Sequence, residues 1–117
     1  MSIFISHYRR RTAAYEITIT DADGVAVTFA AGDKVRVKIG RNGETPLLDL
    51  SSAAASANGS TLTAANPTQL YLAQGDAAAT AGVYDIEASI VDSSDSKIKH
   101  AETGVFVLHD TPLGGVS

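Results

Sequence analysis

The chain has 117 residues, of which 19% are charged and 44% apolar, a globular composition with room for one core and no second. Thirteen acidic residues against nine basic leave a formal charge of −4, which argues against nucleic-acid binding by counterion release, a role that calls for a basic excess. The absence of Cys excludes disulfides, thiolate nucleophiles and Cys-based metal sites.

Alanine inflates the apolar count, and the rings are only four Tyr and three Phe, so a thin core of Val, Ile, Leu and those rings is expected. Residues 1–4 are too short for the apolar region of a signal peptide, and the basic run follows them rather than preceding them. No apolar run is long enough to span a bilayer. The expectation is a chain made in the cytoplasm with no membrane partner.

Three guanidinium groups stand beside a ring in His7-Tyr8-Arg9-Arg10-Arg11. This pattern suits a solvated N-terminal arm or an edge strand guarded by its charge. It also suits a grip for phosphates or an acidic protein surface. Residues 1–12 are read as an arm, with Tyr8, Arg9, Arg10 and Arg11 as candidate protein contacts.

Residues 15–20 alternate, with Tyr15, Ile17 and Ile19 on one face, and predict a strand that ends at the turn Asp21-Ala22-Asp23-Gly24. That turn echoes the start of a calcium loop but lacks the later ligands and the closing Glu, so a hairpin turn explains it. Residues 25–29 are expected to return as a short strand. Residues 34–39, K-V-R-V-K-I, form the cleanest period-two segment, with Val35, Val37 and Ile39 inward and Lys34, Arg36 and Lys38 outward. A loop with Asn42-Gly43 follows, and then a short strand after Pro46.

The Ala/Ser-rich residues 51–60 are read as a surface segment or a single helical turn. Short strands are expected at 60–64, with Leu62 inward, and at 70–72, then a connection over 74–82 containing one helical turn. Two long strands close the chain, from Gly82 to Asp92 and from Lys97 to Leu108. In the first, Tyr84, Ile86, Ala88 and Ile90 oppose Asp85, Glu87 and Ser89. In the second, Val105 and Val107 oppose Phe106 and Leu108, so both faces are apolar. Such a strand is either central in its sheet or covered by another chain, which makes Phe106 and Leu108 candidate contact residues. Residues 111–117 are expected to be a flexible tail.

The solvent face of residues 34–39 is basic and that of residues 83–91 acidic. As neighbours these strands would form cross-strand pairs. In opposite sheets they would give one basic and one acidic face, able to dock copies head to tail.

Catalytic patterns are missing. His7, His100 and His109 occur in no metal-binding spacing, and no G-x-S-x-G elbow or phosphate loop is present. His100 and Glu102 share a strand face without a pocket to work in, and Asp92-Ser93-Ser94-Asp95-Ser96 is a polar hairpin tip. No catalytic residue, cofactor, metal or small-molecule ligand is expected, and the chain is read as not an enzyme.

Seven or eight short antiparallel strands with turns between them make an all-β protein, a single β-sandwich over residues 13–110. I-T-I-T-D-A-D-G at 17–24, K-V-R-V-K-I at 34–39, A-G-V-Y-D-I-E-A-S-I-V-D at 81–92 and G-V-F-V at 104–107 carry a resemblance. In these residues the chain resembles the immunoglobulin-like β modules of tailed-phage structural proteins, such as the N-terminal domains of baseplate upper proteins and related tail or head accessories. The likeness spans most of residues 13–110, with no counterpart for 51–59.

It implies a non-enzymatic assembly role as a virion component, with other virion proteins and copies of the chain itself as partners. A competing expectation is a carbohydrate- or cell-surface-binding module. With Tyr15 and Tyr84 in the core, Tyr8 and Tyr71 are the rings left to stack on sugars.

Overall fold

A computed structural model describes residues 3–93 and 97–110. Among the described residues are eight strands and one short 3-10 helix. They are β1 (Ile3–Tyr8), β2 (Ala13–Ile17), β3 (Lys34–Gly40), β4 (Leu48–Ser51), β5 (Thr61–Leu62), β6 (Thr68–Leu72), β7 (Gly82–Val91) and β8 (Ile98–His109), with the helix at Gln74–Ala77. They form a five-stranded sheet in the order β1-β8-β7-β3-β4 and a three-stranded sheet in the order β2-β6-β5.

This is an immunoglobulin-like β-sandwich. The small sheet is B-E-D in immunoglobulin lettering, and β8-β7-β3-β4 is G-F-C with the C′ strand of variable-type domains. All pairings are antiparallel except that of β1 with β8, which is parallel.

Alternation drives the sandwich. Val35, Val37 and Ile39 of β3, and Ile86, Ala88 and Ile90 of β7, share one buried cluster with Ile17, Leu70 and Leu72 of the other sheet and with Ile19 just past β2. Each fully buried aliphatic side chain contributes about 1.5–3 kcal/mol of transfer free energy. Tyr84, near the start of β7, donates its hydroxyl to the Thr80 carbonyl at 2.5 Å. That is the tyrosine corner of immunoglobulin domains. Two residues on, where antibody domains carry the second Cys, Ile86 is buried instead, so aliphatic packing fills the place of the inter-sheet disulfide.

Several expectations change. The arm assigned to residues 1–12 contains β1, whose Ile3, Ile5 and His7 point into the core while Phe4, Ser6 and Tyr8 face out. The sandwich therefore begins at Ile3 rather than at residue 13. Residues 25–29 form an isolated Thr20–Ala26 bridge, not a strand. The reason is Asn66: its Oδ1 accepts from the Ile19 amide at 2.9 Å, and its Nδ2 donates to the carbonyls of Ile19 and Val27. One amide side chain takes the hydrogen bonds that a further strand would supply.

Residues 51–60 contain no helix. The Asp76 carboxylate instead gathers them, accepting from Ser56 Oγ (2.6 Å), Ser60 Oγ (2.5 Å) and Asn58 Nδ2 (2.9 Å). Ser60 is fully buried, and its hydroxyl also accepts from the Ala73 amide. The tail at 111–117 lies outside the described residues, as does most of the 92–96 tip, whose closing bond runs from the Asp92 amide to the Lys97 carbonyl.

Candidate interaction surface

β3 and β7 are direct neighbours, with Lys38 opposite Glu87 and Arg36 opposite Ser89. The two-faced alternative, one basic and one acidic, is thereby ruled out. Charges interleave on one face, where Asp49 of β4 pairs with Arg36 (3.3 Å) and Lys38 (4.0 Å). Exposed pairs of this kind contribute about 0.2–1 kcal/mol each.

The other half of that outer face carries exposed apolar side chains, with Ser6 among them and Asp85 opposite Val105. Phe4 pairs with Val105, Ser6 with Val107, and Val107 in turn with Val83. Phe4 is 69% exposed and Val83 61%. Of the seven large apolar side chains exposed among the described residues, four (Phe4, Tyr8, Val83 and Val105) belong to this face.

A polar lip borders the patch. Tyr8 packs on His109 with ring centroids 5.4 Å apart, the Arg11 guanidinium lies 5.8 Å over the Tyr8 ring, and Ser6 Oγ meets His109 Nε2 at 2.7 Å.

The candidate contacts divide. Tyr8 and Arg11 are exposed at the lip. Arg9 is a clamp: its Nε donates to the Ala79 carbonyl at 2.6 Å and its Nη1 to Asp110 at 2.6 Å, fastening the β1–β2 crossover to the ends of two other segments. Arg10 takes a positive φ of 59° and donates its amide to the Ala77 carbonyl, so the crossover is built into the sandwich too.

Phe106 and Leu108 were expected to face a partner, yet each is 1% exposed and belongs to the core. β8 lies between β1 and β7, so it is central and its inward residues are covered by this chain's own β1 and facing sheet. The exposed apolar residues are those of opposite parity, Val105 and, across the strands, Phe4 and Val83. Phe4 was the residue the sequence reading missed. The period-two pattern Ile3, Ile5, His7 would have revealed its outward position.

Beneath the lip, His7 is buried with both ring nitrogens engaged. Nε2 meets the Arg11 carbonyl at 2.8 Å and Nδ1 the Tyr15 hydroxyl at 2.6 Å. The carbonyl can only accept, which assigns the proton to Nε2 and makes the tyrosine the donor to Nδ1. Burial holds His7 below its ordinary value and outweighs the Arg11 carbonyl, which acts the other way. The Tyr15 hydroxyl is pushed up by burial and stays protonated.

Among the described residues no three His, Cys, Asp or Glu side chains are grouped to hold a metal ion. Asp21 Oδ1 accepts instead from the Asp23 and Val25 amides, a turn. Glu102 accepts from Thr20 Oγ1 at 2.8 Å. Tyr8 and Tyr71 stand on different sheets, β1 and β6, so they form no common platform for a sugar. No helix among the described residues is long and apolar enough to cross a membrane.

No protein-family model matches the chain, and no curated protein matches it. Among solved structures it is similar to the NK cell receptor Nkp44, described as a triggering partner in natural cytotoxicity. The TM-score is 0.53 at 11% identity, covering 93% of this chain and 99% of that one. At this identity the likeness concerns the fold alone, which is immunoglobulin-like and by itself implies no function.

Proposed function

We propose that the chain is a non-enzymatic assembly module, a structural component of a phage particle that acts by protein–protein contact with copies of itself and with other virion proteins. The observation that carries the assembly half is the gathering of Phe4, Tyr8, Val83 and Val105 on one sheet face. Apolar residues scattered singly need no explanation, whereas a contiguous patch with a polar rim marks an interaction site. Interface patches favour aromatic residues and Arg, and Phe4, Tyr8 and Arg11 supply both here. The particle half rests on the resemblance to phage modules at residues 17–24, 34–39, 81–92 and 104–107.

Quantitative mass spectrometry of purified particles tests the reading. The chain is expected in the particles at a fixed ratio to the major capsid or tail protein. A chain found in the producing cells but lost from washed particles would overturn the virion role.

A further inference from the structure

We propose that two copies of the chain associate by antiparallel pairing of their β1 strands, edge to edge, so that the basic end of each strand meets the acidic end of the other. The inference deepens the assembly reading above and rests on it.

β1 ends the order β1-β8-β7-β3-β4, so one side of its backbone has no strand beside it in the sheet, its Ser6 carbonyl taking a 3.3 Å bond from the Tyr15 hydroxyl. Natural edge strands are protected by charge, Pro or a bulge. Residues Ile3–Tyr8 read I-F-I-S-H-Y, with no Lys, Arg, Asp, Glu or Pro, and their register with β8 runs without a shift from Ile3↔Gly104 to Tyr8↔His109. Such a strand is a template for a further one. There is room at its side: a groove of about 450 Å³ opens between β1 and β2, lined by Ile3, Phe4, Ile5, Glu16, Thr20 and Glu102 among others.

Charge selects the occupant. The chain leaves the far end of β1 through Arg9, Arg10 and Arg11. At the near end, the groove beside Ile3, Phe4 and Ile5 carries Glu16 and Glu102, and a shallow depression that shares Thr20 and Glu102 adds Asp21. Arg9 is held by Asp110 and Ala79, and Arg11 is exposed; an antiparallel second copy turns this polarity end for end, laying each Arg11 against the partner's carboxylates. A two-fold interface of this kind is self-complementary by construction. Five strands from each copy would then form one continuous sheet of ten. Phe4 of each copy gains the outward residues of the partner's β1 as cross-strand neighbours.

Sedimentation velocity over a concentration series tests this on the full chain and four variants. The wild type is expected to dimerise. Phe4→Lys, a charge on the edge at an exposed position, is expected to raise the dimer Kd at least about tenfold. Val83→Lys, two strands inside the edge, is expected to leave it within about threefold. Glu16→Arg and Arg11→Glu should each weaken the dimer, and combining them should restore it. Circular dichroism checks that each variant keeps the fold.

A wild type that stays monomeric overturns both the edge pairing and self-assembly. A dimer broken equally by Val83→Lys and Phe4→Lys overturns the edge pairing alone, because the copies then meet through the outer face. A double charge variant no better than its singles overturns the antiparallel register.

Discussion

Gly104 pairs with Ile3 so closely that a Cβ on Gly104 would overlap the Ile3 carbonyl and crowd its amide nitrogen. Backbone cannot swing aside as a flexible side chain can, so the docking of β1 on β8 depends on the missing Cβ. Gly104→Ala is expected to displace the start of β1 and uncover Ile3 and Ile5. With about 1.5–3 kcal/mol for each fully buried aliphatic side chain, partial exposure of two costs about 2–4 kcal/mol. Urea unfolding measures this, and a loss under about 0.5 kcal/mol would show that β1 seats without the glycine.

Asp76 is the hub of the Ala/Ser-rich segment. Burial pushes its carboxyl up, but hydrogen bonds from Asn58, Ser56 and Ser60 together outweigh burial and leave it below 3.8. A depressed carboxylate contributes stability that is whole above the unfolded value and lost as pH falls through the folded one. Asp33, held down by Lys99 Nζ at 2.9 Å and the Ala30 amide, acts with the same sign. Asp76→Ala is expected to cost about 2 kcal/mol, since hydrogen bonds to charged groups contribute about 1.5–3 kcal/mol and three donors lose their acceptor while water replaces part of it. Acid titration followed by circular dichroism should show Asp76→Asn unfolding at higher pH than the wild type.

His7 gives a second pH dependence, in a higher window. Its folded value lies below 6.5 because burial disfavours the imidazolium. Between the two values the unfolded chain binds a proton that the folded chain does not, so stability is whole above about pH 6.5 and falls as pH drops from there towards the folded value. Protonating Nδ1 also turns the Tyr15 hydroxyl from donor to acceptor at that nitrogen, leaving its proton to the Ser6 carbonyl 3.3 Å away. The urea midpoint is expected to fall between about pH 7.5 and about pH 5.5 in the wild type and to stay nearly level in His7→Gln. Equal slopes in both proteins would contradict the assignment.

Much of the sandwich was legible in period two. Lys34 to Ile39 and Gly82 to Ala88 alternate so cleanly that both their strand character and their buried faces follow from the residues, whereas Ser89, expected outward, is buried. The segments at 25–29 and 51–60 were not legible, because long-range side-chain bonds organise them. Asn66 stands 47 residues from Ile19, and Asp76 stands 20 from Ser56. No local pattern reports such a distance.

The contact surface was half legible. The apolar surplus of β8 is real, but Phe106 and Leu108 are the covered half. Which half is free depends on β1, and the arginines after it gave Ile3 to Tyr8 the look of a solvated arm.

The proposed assembly depends on the outer edge of β1, and amide hydrogen exchange in dilute and concentrated solution measures that edge directly. Slower exchange at Phe4 and Ser6 with rising concentration, with Val83 and the β3 amides unchanged, is the predicted result. Exchange in β1 that does not depend on concentration would contradict it.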